Sequence, residues 1–473
     1  KEELRRVISR RENQNNEKIM LESIDHSIAN RDYQIRAVTK VLENFSSGNR
    51  KALLVMATGS GKTRVAVSIV NALSKLNMIN RTLFLADRVA LVNQAMNSFK
   101  KYLPDFTLCN LVTEKNRENV KVLFSTYQTM ASEVEKLRSA GTNKYGIGNF
   151  DLIIVDEAHR SIYQKYGDIF EYFDSLLLGL TATPKEELDR NTFSVFGMKS
   201  KEPTDSYDLF EAAEKGHLVL PKVKEIGLNY PENGIVYSKL SEEDKEKYES
   251  LFDEEEAIAE EIDGDSINSW FFNEGTTKEV IYRLMEEGYK IEGGDKLGKT
   301  IIFAKNDRHA DHIVEVFNKM HRKNGDFCQK ITTKIEKVQD LIDRFSNPKS
   351  MPQIAVSVDM LDTGIDIPEI LNLVFYKKIR SKSKFWQMIG RGTRKCPNIF
   401  GLGEDKKDFL IFDFCGNFSY FELEDNFDKA TPKISESLTS RIFSKKVRLI
   451  QKLQNLEYQM NDNYSKLWKE LVE

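Results

Sequence analysis

No stretch of this 473-residue chain approaches the roughly 20 consecutive apolar residues that a membrane-spanning helix needs. Its first residues are charged rather than signal-like, so no membrane partner and a cytoplasmic location are the expectation. Cysteine is scarce. Cys109, Cys328, Cys396 and Cys415 are scattered without Cys-x-x-Cys spacing, which argues against a zinc site and for buried thiols in a reducing compartment. An excess of positive charge is missing too: 70 Lys plus Arg stand against 73 Asp plus Glu, a net of −3. No global basic field announces a nucleic acid, and any DNA or RNA contact has to come from local clusters. The remainder, 40% apolar and 30% charged, is the composition of a soluble globular protein. At about 150 residues per domain it predicts two to four domains. The chain stops at Glu473 inside a helical pattern without a Gly or Pro stop signal, so a longer polypeptide is expected.

Two strings carry the chemistry. In MATGSGKT, from Met56 to Thr63, the glycines around Thr58, Gly59, Ser60 and Gly61 leave backbone N–H groups free to wrap phosphates. Lys62 reaches the terminal phosphates and Thr63 offers a hydroxyl to Mg²⁺. A buried strand, Ala52 to Val55, precedes the loop, and a helix with Ala66, Ile69, Val70 and Leu73 on one face follows it. In VDEAH, from Val155 to His159, a second strand ends on Asp156, suited to the metal's water shell, and Glu157, suited to the attacking water. Alone, the loop could be a tight turn and the tetrapeptide a capped helix start; together, at strand ends in that order, they predict hydrolysis of Mg-ATP.

Apolar strands alternate with amphipathic segments twice over. The first set comprises residues 52–55, 82–86, 122–124, 152–155 and 176–180; the second comprises 300–304, 354–358, 371–375 and 409–412. Continuous apolar runs separated by helices predict parallel sheets covered on both faces, hence two α/β domains in tandem. Between them lies a polar, acid-rich stretch with Glu254 to Glu256 and the apolar island Trp270, Phe271 and Phe272, read as a solvated helix face.

The second domain carries QMIGRGTR, with Gln387, Gly390, Arg391 and Arg394; its two arginines, three apart, are expected on one helical face. A guanidinium suits a γ-phosphate, where such a finger contributes about 10³ to 10⁵ in rate. Upstream, Thr363, Gly364 and Asp366 follow a buried strand, and Asp366 can orient Arg394 or a ribose hydroxyl, or merely cap a turn before Pro368.

In this order the strings resemble the superfamily 2 helicase and translocase core across roughly residues 31–415. Arg31, Tyr33 and Gln34 resemble its adenine-reading element, LFLADRVALVNQA from Leu83 its motif Ia, STYQTM from Ser125 motif Ib, and Thr181-Ala182-Thr183 motif III. IIFAKN from Ile301, DTGID and QMIGRGTR resemble motifs IV, V and VI. Within the superfamily, FDLIIVDEAHRSIY, LGLTATPKEELDRNTFSVFG and EGGDKLGKTIIFAKN resemble the motor (R) subunit of type I restriction-modification enzymes, with WFFNE and FLIFDF fitting the same likeness.

The resemblance implies two RecA-like domains with a helical C-terminal extension. The expected bounds are 1–30 for a helical linker, 31–205 and 206–420 for the domains, with an acidic insertion at about 232–299, and 421–473 for the extension. It implies ATP and Mg²⁺ as cofactors, domain closure that brings Arg391 and Arg394 to the nucleotide, and His159, Thr181, Thr183 and Gln387 as links between phosphate state and domain contact. Double-stranded DNA, tracked without strand separation, and methyltransferase and specificity subunits are the implied partners. Such subunits normally carry a PD-(D/E)xK nuclease ahead of the motor. No such motif is evident, and the triplets Glu243-Asp244-Lys245 and Glu404-Asp405-Lys406 read as solvated charge.

Two further segments stay open. Lys377, Lys378, Arg380, Lys382 and Lys384 before Phe385 and Trp386 either track phosphates or form a solvated loop. Ile450, Leu453, Leu456, Met460, Tyr464, Leu467 and Leu471 form one helix stripe that either meets a partner subunit or packs on the motor. An RNA or DNA helicase that unwinds duplexes, and a nucleotide-gated scaffold with negligible turnover, are the competing functional readings.

Overall fold

The computed structural model describes residues 22–114, 119–140, 145–158, 160–183, 190–198, 202–226, 235–236, 261–262, 273–321, 325–335, 338–362, 365–421 and 423, with six isolated positions beyond. Both sheets lie in one compact unit, Lys1–Phe427; Asp428–Glu473 forms a second unit.

The first lobe is a seven-stranded sheet. Its strands are β1 (Lys51–Met56), β2 (Thr82–Ala86), β3 (Leu108–Asn110), β4 (Val122–Thr126), β5 (Leu152–Asp156), β6 (Leu176–Thr181) and β7 (Asp205–Tyr207). They lie in the order β3-β4-β2-β5-β6-β1-β7, every pairing parallel. The second lobe has six: β8 (Leu220–Glu225), β9 (Lys299–Ala304), β10 (Cys328–Ile331), β11 (Ile354–Ser357), β12 (Ile370–Tyr376) and β13 (Asp408–Asp413). Their order is β10-β11-β9-β12-β13-β8, again all parallel. These are the two tandem parallel-sheet α/β domains expected from the alternating pattern.

Central strands are buried along their whole length, all five residues of β2 and all seven of β12. That is why they read as unbroken apolar runs: helices cover both faces, and each buried Leu, Ile or Phe contributes about 1.5–3 kcal/mol. Within these two sheets, four strands were not expected among the described residues, β3, β7, β8 and β10. They are short or peripheral and mix polar with apolar residues; β8, at the sheet edge, even holds Pro221, which an edge tolerates because no ladder donor is needed there. Since β7 belongs to the first sheet and β8 to the second, the passage between lobes lies between Tyr207 and Leu220, and the expected junction at 205/206 falls inside β7.

The helices that matter for the site are α1 (Asp32–Ser46), α2 (Lys62–Lys75), α3 (Val89–Tyr102) and, in the second lobe, α4 (Lys382–Ile389). In α3, Val92, Ala95 and Phe99 at i, i+3 and i+7 are buried, and the adjacent stripe of Leu91, Gln94, Ser98 and Tyr102, about a quarter turn round the helix, lines the space beside the nucleotide loop. Of the acidic stretch, most residues, including Trp270 to Phe272, lie outside the described residues; from Glu274 to Glu287 the chain is a helix packed on the second sheet through Val280, Ile281 and Leu284. Of the C-terminal stripe only Ile450 and Leu453 are described, both helical. Cys109, Cys328 and Cys396 are buried, Cys415 is half-buried, and no disulfide joins them. Among the described residues no helix is long and apolar enough to cross a membrane.

Candidate nucleotide site between the lobes

The loop after β1 is shaped by two left-handed glycines, Gly59 at φ +93° and Gly61 at φ +96°, the latter capping α2. A Cβ on Gly61 would stand 2.8 Å from Gln34 Nε2, so only glycine lets α1 approach the loop this closely. From α1, Tyr33 Oη donates to the Ser60 carbonyl at 2.7 Å and Gln34 Nε2 donates to the same oxygen at 3.1 Å. Gln34 Oε1 is buried without a partner, on a residue that lines the cleft. Arg31 Nη1 donates to Tyr33 Oη at 3.1 Å, joining the third residue of that element.

At the end of β5, Asp156 and Glu157 turn sharply. Glu157 takes φ +55°, a left-handed conformation that costs a non-glycine residue about 1 kcal/mol and signals that its position is over-determined. Its Oε2 is buried and unpartnered. Tyr127 Oη donates to the Asp156 carbonyl at 2.7 Å, and burial with Glu157 alongside pushes the Asp156 carboxyl up, Lys62 opposing. Lys62 Nζ stays near the loop, 3.5 Å from the Met56 carbonyl. The donor set of Thr63 hydroxyl and Asp156 carboxylate is hard, oxygen-only and short of a full shell, which fits Mg²⁺ retaining water and phosphate ligands, and the unpartnered Glu157 oxygen is left for the attacking water.

The second lobe closes the cleft. Arg394 makes a bidentate pair with Asp366, Nε to Oδ1 at 2.7 Å and Nη2 to Oδ2 at 2.8 Å, and its Nη1 donates to the Gly59 carbonyl of the first lobe. Arg391 is buried, with Nε donating to the Gln387 carbonyl at 3.1 Å and Nη1 to the Ile365 carbonyl. Burial lowers its pKa to about 10, against the pull of Asp366 and Glu157, so it stays cationic at neutral pH. The expectation of two arginines on one helical face is corrected: α4 ends at Ile389, Arg391 lies on the turn that follows, and Arg394 lies just beyond that turn. Glycines at 390 and 392 end the helix, and each permits a close approach, to Thr58 and to the Phe409 ring.

One cleft of about 360 Å³ is lined by residues 58–64, Arg31, Gln34, Asp156 and Glu157 on one side and by residues 365–367, Gly390, Arg391 and Arg394 on the other. Of the expected links, Thr181 is buried and accepts from the Thr183 amide at 3.1 Å, and Thr183 Oγ1 donates to Ser383 Oγ across the lobes at 2.9 Å. Gln387 is buried in α4, joined to Arg391 through its carbonyl. His159, Thr363 and Gly364 lie outside the described residues.

Sequence reasoning missed Ser383, Thr393, whose Oγ1 donates to the Thr58 carbonyl at 3.2 Å, Arg64, and the α3 face of Leu91, Gln94, Ser98 and Tyr102. Only the i, i+3, i+7 spacing of that face could have pointed to it. In the basic run, Lys377 and Lys384 are committed to aspartates within the chain, so neither a phosphate track nor a solvated loop describes all five cations. Lys377 Nζ lies 3.0 Å from Asp359 and 3.5 Å from buried Asp362, Lys384 pairs with both aspartates, and Phe385 and Trp386 are core residues unable to stack on bases. Arg380 is exposed. Of the triplet at 404–406, Glu404 and Asp405 are exposed, but Lys406 is 1% exposed and bonds the Pro368 and Ile370 carbonyls, so it is not solvated charge. The triplet at 243–245 is outside the described residues.

Residues 27–186 match the family of the type III restriction enzyme res subunit, and residues 280–396 match the helicase conserved C-terminal domain. The two matched domains, in this order, make up a helicase core, as the motif series implied. This helicase core is 31% identical over 436 residues to the type I restriction enzyme EcoKI endonuclease subunit of Escherichia coli strain K12, covering 84% of this chain and 35% of that one. It is 29% identical over 445 residues to the EcoAI endonuclease subunit of Escherichia coli, covering 90% and 51%. The chain thus spans between a third and a half of the length of these relatives. A fragment described as an HsdR subunit of a type I restriction enzyme from Vibrio vulnificus YJ016 superposes with a TM-score of 0.63 at 24% identity, covering 88% of this chain and 69% of that one, and shares the fold. The likeness to type I R-subunit motors read from motif order is upheld, and the helicase-type domains imply nucleotide binding and hydrolysis.

Proposed function

We propose that this chain is an ATP-driven translocase on double-stranded DNA, the motor portion of a type I restriction enzyme R subunit. The observation that carries the reading is the cleft itself: Arg391 and Arg394 of the second lobe face Glu157 and the phosphate loop of the first. Water attacks the γ-phosphorus, its proton passes to Glu157, and the bond to the β–γ bridging oxygen breaks to release ADP and phosphate. Lys62 and the two arginines stabilise the charge on the equatorial oxygens. Bound at Thr63 and near Asp156, Mg²⁺ supplies further neutralisation of the phosphates. Because the cationic groups come from both lobes, Lys62 from the first and two arginines from the second, nucleotide favours closure and its products do not, and the Thr183 to Ser383 contact passes that change between lobes.

Duplex DNA as the track, and methyltransferase and specificity subunits as partners, are supported by the names of the relatives and by the restriction-like strings. Cleavage of DNA is part of the reading only with a nuclease domain that lies outside this chain. Steady-state ATP hydrolysis measured without nucleic acid and with single-stranded DNA, linear duplex DNA or structured RNA tests the reading, with Lys62→Ala as the blank. Stimulation by duplex DNA supports it. Stimulation by RNA alone favours an RNA helicase, and nucleotide binding with negligible turnover favours a scaffold.

A further inference from the structure

We propose that Arg64 and Tyr102 form the platform on which the nucleobase stacks, a role that rests on the ATP-binding reading above. A nucleobase is a flat π-surface, and a site that holds one firmly offers it a flat partner. Tyr102 is the one aromatic side chain among the described residues lining the cleft. It ends the α3 face formed by Leu91, Gln94 and Ser98. The Arg64 guanidinium, on the first turn of α2, lies 5.2 Å from the Tyr102 ring centroid.

Arg64 is anchored from the side. Nη2 donates to the Ser27 carbonyl at 3.1 Å and Nε to the Ile28 carbonyl. Both anchors are neutral carbonyls, and they fix the guanidinium to the segment that leads into Arg31 and Gln34. The place is the base end of the cleft for a second reason. A Cβ on Gly61 would lie 2.8 Å from Gln34 Nε2 and 3.8 Å from Arg64 Cβ, so the Gln34 amide and the Arg64 stem flank the same glycine. Gln34 Nε2 is committed to Ser60, which leaves the buried, unpartnered Oε1 to read a base edge while Arg64 supports the base plane. Exposed Lys101 also stands by the ring, 5.3 Å from its centroid, so the face offered to the base is that of Arg64, with Tyr102 layered behind it.

Calorimetric titration of the whole chain with Mg-ATP, and separately with Mg-tripolyphosphate, which has the phosphates and no base, separates the platform from the phosphate site. Tyr102→Ala and Arg64→Lys, the second keeping the charge but losing the plane, each weaken ATP by about tenfold and leave tripolyphosphate within about twofold, while Tyr102→Phe restores ATP binding. Melting curves of each variant confirm that it is folded. ATP and tripolyphosphate weakened together, ATP unchanged in both variants, or a wild type that binds tripolyphosphate as tightly as ATP would each overturn the platform while leaving a triphosphate site. A wild type that binds neither overturns the platform and the nucleotide reading together.

Discussion

Gly390→Ala tests the claim that the lobes must meet at the nucleotide loop. Gly390 has φ −57°, an ordinary helical value, so alanine costs its backbone nothing. What a Cβ would meet is the other lobe: Thr58 Cβ at 2.3 Å, Cγ2 at 2.6 Å and Oγ1 at 2.8 Å. Carbon atoms settle about 3.8 Å apart, so the lobes have to part locally by about 1.5 Å. Arg391 rides on the same turn and Arg394 lies just beyond it, and a misplacement of about 1 Å can cost about 100-fold in rate. We expect kcat for ATP to fall about 100-fold, with ATP affinity within about threefold because the loop and α1 contacts remain. The melting temperature should shift by less than about 3 °C, since opening relieves the clash without disturbing either core. Gly167→Ala, at a helical glycine with nothing within 4 Å of the added carbon, is the control. Wild-type kcat in Gly390→Ala would refute the requirement for closure.

Asp366→Asn removes the charge that holds Arg394 bidentately while leaving its size, and should lower kcat about 10- to 100-fold with KM nearly unchanged, as steady-state kinetics would record. Lys377→Met leaves Asp362, 1% exposed, with one fewer cation, and should destabilise the protein by about 3 kcal/mol in urea unfolding, whereas exposed Arg380→Gln should change stability by less than about 0.5 kcal/mol. Burial lowers the Lys406 pKa to about 7. Between that value and the unfolded one the unfolded chain binds the extra proton, so this residue makes stability rise with pH from about 7 to 10, by up to about 1.4 kcal/mol per unit. Denaturant midpoints measured across that range should show the slope in the wild type and a shallower one in Lys406→Met; equal slopes would remove Lys406 from the account.

The legible part of the site is the part that sits on consecutive residues at strand ends. The loop from Thr58 to Thr63 and the pair Asp156 and Glu157 follow apolar runs that a parallel sheet buries on both faces, so the chemistry and its placement were visible together. Ser383 and Thr393 were not, because their roles come from facing Thr183 and Thr58 roughly 200 and 335 positions away, and a hydroxyl on a short helix or turn carries no mark of that. Tyr102 was hidden for a different reason: the polar side of α3 looks like any solvated helix face until α2 sets Arg64 beside it. The arginine pair was recognised by residue type but misplaced, since Gly390 and Gly392 end α4 before it. Among strands, β8 was lost because Leu220–Glu225 alternates charge with apolar residues and includes a proline, which only its edge position explains.

The central claim is translocation along intact duplex DNA, and displacement of a third strand from a triplex placed on a linear duplex tests it most directly. The account predicts ATP-dependent displacement of the third strand with the underlying duplex still paired, abolished by Glu157→Gln. Separation of the duplex strands, or DNA-stimulated hydrolysis with the third strand left in place, would contradict it.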